Sequence, residues 1–312
     1  MKRRIAITIG EPGGVGPEII VKALTDKSVR RCCRPVIVGD ASVMKEAAKL
    51  AGVSLKAESV DFIDIKSRYT FKRGVPSKGA GRAVVQYIEK AVDLAMNNEV
   101  DGIVTAPISK ESLNMAGYQW PGHTELLAEL TGAKDYAMMF VSSKLRIILC
   151  TIHIPLKDVP KKITKGRVVN TIKLAIQGCN MLGVRNPHIA VAGLNPHAGE
   201  SGVIGKEEGR AIVPAIEDMK RTGAYVSGPY PPDVVFHKTY REKFDMVVCM
   251  YHDQGLIPFK MLDFERGVNA TVGLPIIRTS PDHGTAFDIA WQNRADPSSM
   301  IEAIKLAAKM KI

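Results

Sequence analysis

Short, unbroken apolar runs alternating with stretches of helical spacing constrain this chain more than any other feature. Ile5–Ile9, Pro35–Val38, Asp101–Thr105, Arg146–Thr151, His188–Leu194 and Met246–Met250 read as strands buried on both faces. Pro17–Leu24, Ala83–Met96, Val168–Leu182, Lys206–Lys220 and Ser298–Met310 carry apolar residues near helical spacing, with Pro17 in a first turn. Strands alternating with helices predict an α/β fold with a largely parallel sheet. No low-complexity linker or repeat separates parts of the 312 residues, so any division is into two lobes with the chain crossing between them. In such sheets ligands sit beyond the carboxyl ends of the strands, so functional motifs should follow strands.

Composition narrows the partners. The net charge is +11, yet the basic residues are spread along the chain and aromatics are only 6%. Single-strand nucleic-acid binders need stacking platforms, so an anionic small substrate is the better expectation. The apolar run near the N-terminus is too short for a signal peptide, and no window approaches the ~20 apolar residues of a membrane span. Five cysteines with no Cys-x-x-Cys pair support neither a zinc ribbon nor a disulfide framework. Reduced thiols in a cytosolic protein are expected.

Five constellations carry possible chemistry. Gly10-Glu11-Pro12-Gly13-Gly14-Val15-Gly16-Pro17-Glu18 is a Gly-rich turn between strand and helix. It approaches the Rossmann fingerprint, with Asp40 ending the next strand, but Ile19 replaces the third Gly. A tight structural turn is the competing reading. Three of the seven histidines, His153, His197 and His252, directly follow predicted strands and could converge on one divalent ion. Asp253 could ligate that ion, orient His252, or serve as a catalytic group. His123 and Thr124 open a helical stretch, where free N–H groups suit an anion, although capping alone would explain Thr124. Lys260, Asn269 and Arg278 stand in otherwise apolar or Gly-rich segments and suggest a phosphate or carboxylate. Finally, His283-Gly284-Thr285-Ala286-Phe287-Asp288 reads as a turn leading into a helix, with Asp288 placed to accept from a ribose diol or merely to favour a first helical turn.

Taken together, the stretches GEPGGVGPE, PGHTE, TIHIPL, GLNPHAGE, MYHDQGL and PIIRTSPDHGTAFD resemble the 4-hydroxythreonine-4-phosphate dehydrogenases of pyridoxal phosphate synthesis. They run in order from residue 10 to residue 288. The opening G-x-G-P-E and the His283–Asp288 segment are also similar to isocitrate- and isopropylmalate-type β-decarboxylating dehydrogenases. The resemblance implies a three-layer α/β/α fold of that type, two lobes around a central cleft, and a non-Rossmann NAD site at His283 and Asp288. The lobes would comprise about 1–130 plus 270–312, and about 131–269. It implies one divalent metal (Zn, Mg, Mn or Co) on His153, His197 and His252. It further implies substrate contacts from His123, Thr124, Lys260, Asn269 and Arg278, and a homodimer whose metal sites are completed by the neighbouring subunit. The implied reaction is oxidation of 4-phosphooxy-L-threonine by NAD, with decarboxylation of the β-keto acid. Threonate or erythronate 4-phosphate is the alternative substrate within the family. A phosphate acyltransferase or a phosphorylated-ligand binding protein is the alternative from another class.

Overall fold

The structure is a computed structural model that describes residues 2–54, 60–241 and 243–312. The chain divides into two compact units, one of residues 1–134, 274–310 and 312, the other of 135–273 and 311. Among the described residues no helix is long and apolar enough to cross a membrane.

In the first unit, β1 (Arg3–Thr8), β2 (Cys33–Gly39), β3 (Asp61–Asp64), β4 (Gly102–Thr105) and β11 (Arg278–Pro281) lie in the order β3-β2-β1-β4-β11. Every pair is parallel, with Thr8 opposite both Val38 and Thr105. Ile5, Ala6 and Ile7 are wholly buried, as a central strand covered on both faces requires. Helix Lys78–Met96 covers the sheet; Ser77 caps it by accepting from Ala80 N at 3.2 Å, and Val84, Val85, Ile88, Ala91 and Val92 form its buried side.

In the second unit, β5 (Ala137–Val141), β6 (Arg146–Leu149), β7 (Ile189–Ala192), β8 (Val226–Tyr230), β9 (Met246–Cys249) and β10 (Val268–Val272) run β10-β5-β6-β9-β7-β8. The β6–β9–β7–β8 part is parallel. β5 is antiparallel to both β6 and β10, a departure from the parallel expectation. A tight connection produces it: Ser142 N donates to Leu145 O at 3.0 Å, which is too short a link for anything but an antiparallel return. Phe140, Ile147, Leu149, Val247, Leu256 and Phe259 pack into one core, with Phe140 and Phe259 edge to face at 5.9 Å.

The Gly-rich turn after β1 is held by the chain itself. Gly10 has φ 70°, in the left-handed region open to glycine. Its Cα faces the turn after β4, where a Cβ would meet Pro107 O at 2.5 Å. That carbonyl also accepts Glu11 N at 2.8 Å, while Thr285 O takes Val15 N at 3.0 Å. Residues 9–20 are all buried. The turn is therefore a structural junction, and its N–H groups are not laid open for a pyrophosphate. Asp40 is likewise committed: buried, it accepts from Ser67 N at 2.8 Å and from the Ser67 and Tyr87 hydroxyls.

Glu11 sits inside this junction with both carboxyl oxygens buried and without a formed hydrogen bond. Burial raises its pKa to about 7 from 4.5, against smaller downward pulls from Ser112 and the Gly13 backbone. A carboxyl with a raised folded pKa binds its proton more tightly in the folded chain. Stability is then fullest below about pH 4.5 and falls as the pH climbs through about 7, by roughly 3 kcal/mol. Glu11→Gln should remove that slope. Urea unfolding at pH 5 and pH 8 should show the variant gaining about 3 kcal/mol on the wild type between the two; a difference independent of pH refutes the assignment.

Candidate active site

The histidine loops of the second unit begin at neighbouring strand ends. β6 and β9 are paired in register, Leu149 opposite Cys249, and the pairing continues as Cys150 N donates to Cys249 O at 2.8 Å. The Thr151 hydroxyl then donates to Met250 O at 2.7 Å. The two chains leave the sheet side by side, and the rings of His153 and His252 stand with centroids 5.5 Å apart. His252 is the first residue of helix His252–Asp263. Its Nδ1 pairs with Asp253 Oδ1 at 2.7 Å, which leaves Nε2 as the ring nitrogen open to a ligand.

His197 follows β7, the neighbour of β9 on the other side. It opens a left-handed turn in which residues 197–201 have φ of 51°, 56°, 79°, 42° and 56°, and only Gly199 is a glycine. Such backbone is costly in non-glycine residues and marks a site the surroundings hold in place. Glu208, buried, does so by accepting from Leu194 N at 2.8 Å, Asn195 N at 2.7 Å and Asn195 Nδ2 at 2.9 Å. His197 Nδ1 pairs with Glu200 Oε1 at 2.5 Å, an interaction that raises its pKa. Its ring is exposed, and among the described residues of one chain no three His, Cys, Asp or Glu side chains stand close enough to hold a metal. The donor set nonetheless suits a transition ion: two rings at shared-ligand distance, and two of the three imidazoles oriented by carboxylates.

Sequence reasoning missed Gln254 and Glu208. The Gln254 side chain accepts from Met250 N at 2.6 Å and donates to Gly193 O at 2.7 Å, tying the ends of β9 and β7 together. Its place two residues after His252 was the available signal.

The first unit holds a buried cation. Arg278, 2% exposed at the start of β11, donates through Nε and Nη2 to Thr105 Oγ1 at 3.2 and 2.8 Å. Burial presses its pKa down to about 9, opposed by the charge of Glu125, so it stays cationic at neutral pH. His123 lies near it. Burial first, and the Arg278 charge second, hold the imidazole well below its ordinary pKa, so it is neutral. Its Nε2 is buried and has no partner. Thr124 is buried in the first turn of helix His123–Thr131; the N-cap, Gly122, offers no side-chain cap, and Thr124 does not cap either. Thr105 was missed, although it ends a predicted strand. In the second unit, Asn269 Oδ1 is buried without a partner on β10, and Lys260 Nζ lies 5.5 Å from the Phe264 ring.

The His283–Asp288 segment does not lead into a helix as expected. Residues 287–293 are turns, and the next helix starts at Ser298. Ala286, Trp291 and Asn293 have positive φ, and Trp291 Nε1 donates to Pro12 O at 3.0 Å, anchoring the loop on the Gly-rich junction. His283 and Asp288 are exposed on it, and the Asp288 carbonyl accepts from Gln292 Nε2. Arg73 stacks over Trp291 at 4.5 Å, a cation beside this loop that the linear sequence conceals.

The family model described as "Pyridoxal phosphate biosynthetic protein PdxA" matches residues 31–307. The chain is 48% identical to a 4-hydroxythreonine-4-phosphate dehydrogenase of Desulforapulum autotrophicum, covering 97% of this chain and 94% of that one. It is 45% identical to a D-threonate 4-phosphate dehydrogenase of Cupriavidus necator, over 98% and 96%. The crystal structure of a 4-hydroxythreonine-4-phosphate dehydrogenase from Klebsiella pneumoniae superposes with a TM-score of 0.89 at 42% identity, covering 99% and 98%. The chain therefore belongs to the PdxA family of pyridoxal phosphate biosynthetic proteins and, like these relatives, is a dehydrogenase acting on a CH–OH group.

Proposed function

We propose that the chain oxidises 4-phosphooxy-L-threonine with NAD to a β-keto acid that decarboxylates to 3-amino-2-oxopropyl phosphate. The observation that carries this reading is the buried Arg278 beside a neutral His123 whose Nε2 has no partner. A fully buried guanidinium draws an anion, and an unpaired imidazole nitrogen next to it can hydrogen-bond a substrate oxygen. Thr124 and the uncapped helix N-terminus add donors to the same anion. Asn269, through its unpartnered Oδ1, and Lys260 are further substrate contacts. NAD would supply the hydride acceptor, and Asp288 would be the residue that accepts from its adenine ribose. His153, His197 and His252 would hold a divalent ion, which would supply Lewis-acid polarisation of the substrate oxygens. Asp253 keeps the His252 Nδ1 proton and so orients Nε2.

Truncating a charge-assisted contact costs roughly 1.5–3 kcal/mol, so Arg278→Ala should raise KM for the phosphorylated substrate about 10- to 150-fold. KM for NAD should move far less. Steady-state kinetics varying each substrate in turn decide it, and a change confined to NAD would reverse the assignment. The same assay with D-threonate 4-phosphate tests the second reading, which the Cupriavidus necator relative favours. A higher kcat/KM for the sugar acid would establish it.

The three histidines do not meet within one chain, which supports a centre shared across a two-fold homodimer. His153→Ala, His197→Ala and His252→Ala proteins should each lose bound metal and activity. Mixed in pairs after dissociation and reassociation, at least one pairing should regain about a quarter of wild-type activity, since half the dimers are hybrids with one intact site. The placement of His153 against His252 makes pairings that include His197→Ala the expected ones. No recovery in any pairing would put all three ligands on one chain.

A further inference from the structure

We propose that Cys32 and Cys33 form a two-thiol site for a thiophilic Lewis acid, trivalent arsenic in particular. The site is independent of the dehydrogenase chemistry. Cys32 ends helix Lys27–Cys32 and Cys33 begins β2, and the change of backbone brings both sulfurs round to one carbonyl. Cys32 Sγ lies 3.4 Å and Cys33 Sγ 3.6 Å from Val29 O, so one carbonyl gathers both sulfurs.

Adjacent Cα atoms lie ~3.8 Å apart across a trans peptide, short of the ~4.4–6.8 Å that a disulfide spans. Direct S–S closure is therefore strained, whereas one intervening atom between the sulfurs relaxes the ring. Charge favours the thiolate. Lys2, anchored through Nζ on Arg30 O at 2.7 Å, and Lys305 both bear on the pair. The Cys33 thiol above all, and these cations after it, bring Cys32 down to about 7. Cys33 itself is raised, by its contact with Cys32 first and by burial second, and so serves as the second, closing thiol; burial likewise pushes Cys150 up to about 11 and Cys179 up to about 12, and raises Cys249. Cys33 is buried but Cys32 is partly exposed, so a ligand reaches the pair through Cys32. The low-pKa, accessible thiolate is the attacking group and the neighbouring thiol closes the chelate.

With an organoarsenic oxide the step balances without redox. Two S–H bonds and the As=O bond break, two As–S bonds form, and the oxygen leaves with both protons as water. The position fits a role apart from catalysis. Cys33 pairs with Arg3 at the amino ends of β1 and β2, whereas the Gly-rich turn and Thr105 lie at the carboxyl ends of their strands.

Phenylarsine oxide tests this on the full-length protein, read by titration and by loss of native thiols reactive to Ellman's reagent. One equivalent per chain should bind and remove both thiols. It should resist excess monothiol but yield to 2,3-dimercaptopropanol. Cys32→Ser should weaken binding on the order of 100-fold or more, the loss of an intramolecular second contact. Cys150→Ser should leave it unchanged. Absence of a tight equivalent, or equal binding by the Cys32→Ser protein, overturns the proposal.

Discussion

The parallel pairing of β6 with β9 governs the candidate metal centre. Parallel strands deliver their carboxyl ends to one edge, and here the register persists beyond the sheet through Cys150 N and the Thr151 hydroxyl. Two loops of unrelated sequence are thereby forced to travel together until their imidazoles face each other. Gln254 extends the arrangement to β7 through one side chain bonded to two backbone groups. Its buried amide replaces the ladder that ends at the strand tips, so the histidine loops hang on polar contacts that have no water to compete with them.

The first unit solves the corresponding problem mostly with backbone groups. After β1 the chain is fixed by Pro107 O, Thr285 O and the Trp291 ring nitrogen, all from segments distant in sequence. Glycines make this possible because a Cβ at Gly16 would lie 2.3 Å from Ile9 O. Packing of this density excludes a ligand from the turn. The turn instead supports the loop bearing His283 and Asp288, anchored through Trp291 with Arg73 stacked on its ring.

The central strands were legible because uninterrupted Ile, Val and Ala runs have few uses other than a strand covered on both faces. β11 was not, since Arg278-Thr279-Ser280-Pro281 looks like a loop. It is a strand in which Arg278 and Thr279 find buried partners, Thr105 and, at 2.8 Å, Ala303 O. The helix read over Lys206–Lys220 begins in a π-turn, Glu208–Ile212. Pro214 has no N–H to give the preceding turn, and Glu208 is committed to the His197 loop. The reading of a helix after Asp288 failed for a comparable reason, since Trp291 is held by Pro12 in a conformation a helix cannot adopt. Of the site, the histidines and Arg278 stood out by residue type and context. Thr105, Glu208 and Gln254 are ordinary residues made important by contacts that only the fold brings about.

The excess of positive charge also acquires a local meaning. Most cations are solvated or paired at the surface, as Arg34 is with Asp61, and such pairs contribute little. Arg278 differs, because it is buried, where desolvating a guanidinium is expensive, and the Thr105 hydroxyl is among the groups that hold it there. An anion bound there, as proposed, would offset part of that cost, since the attraction between opposite charges grows as water is excluded. The neutral state of His123 belongs to the same balance. A second cation there would add repulsion, whereas an uncharged imidazole still offers a hydrogen bond beside the Arg278 charge.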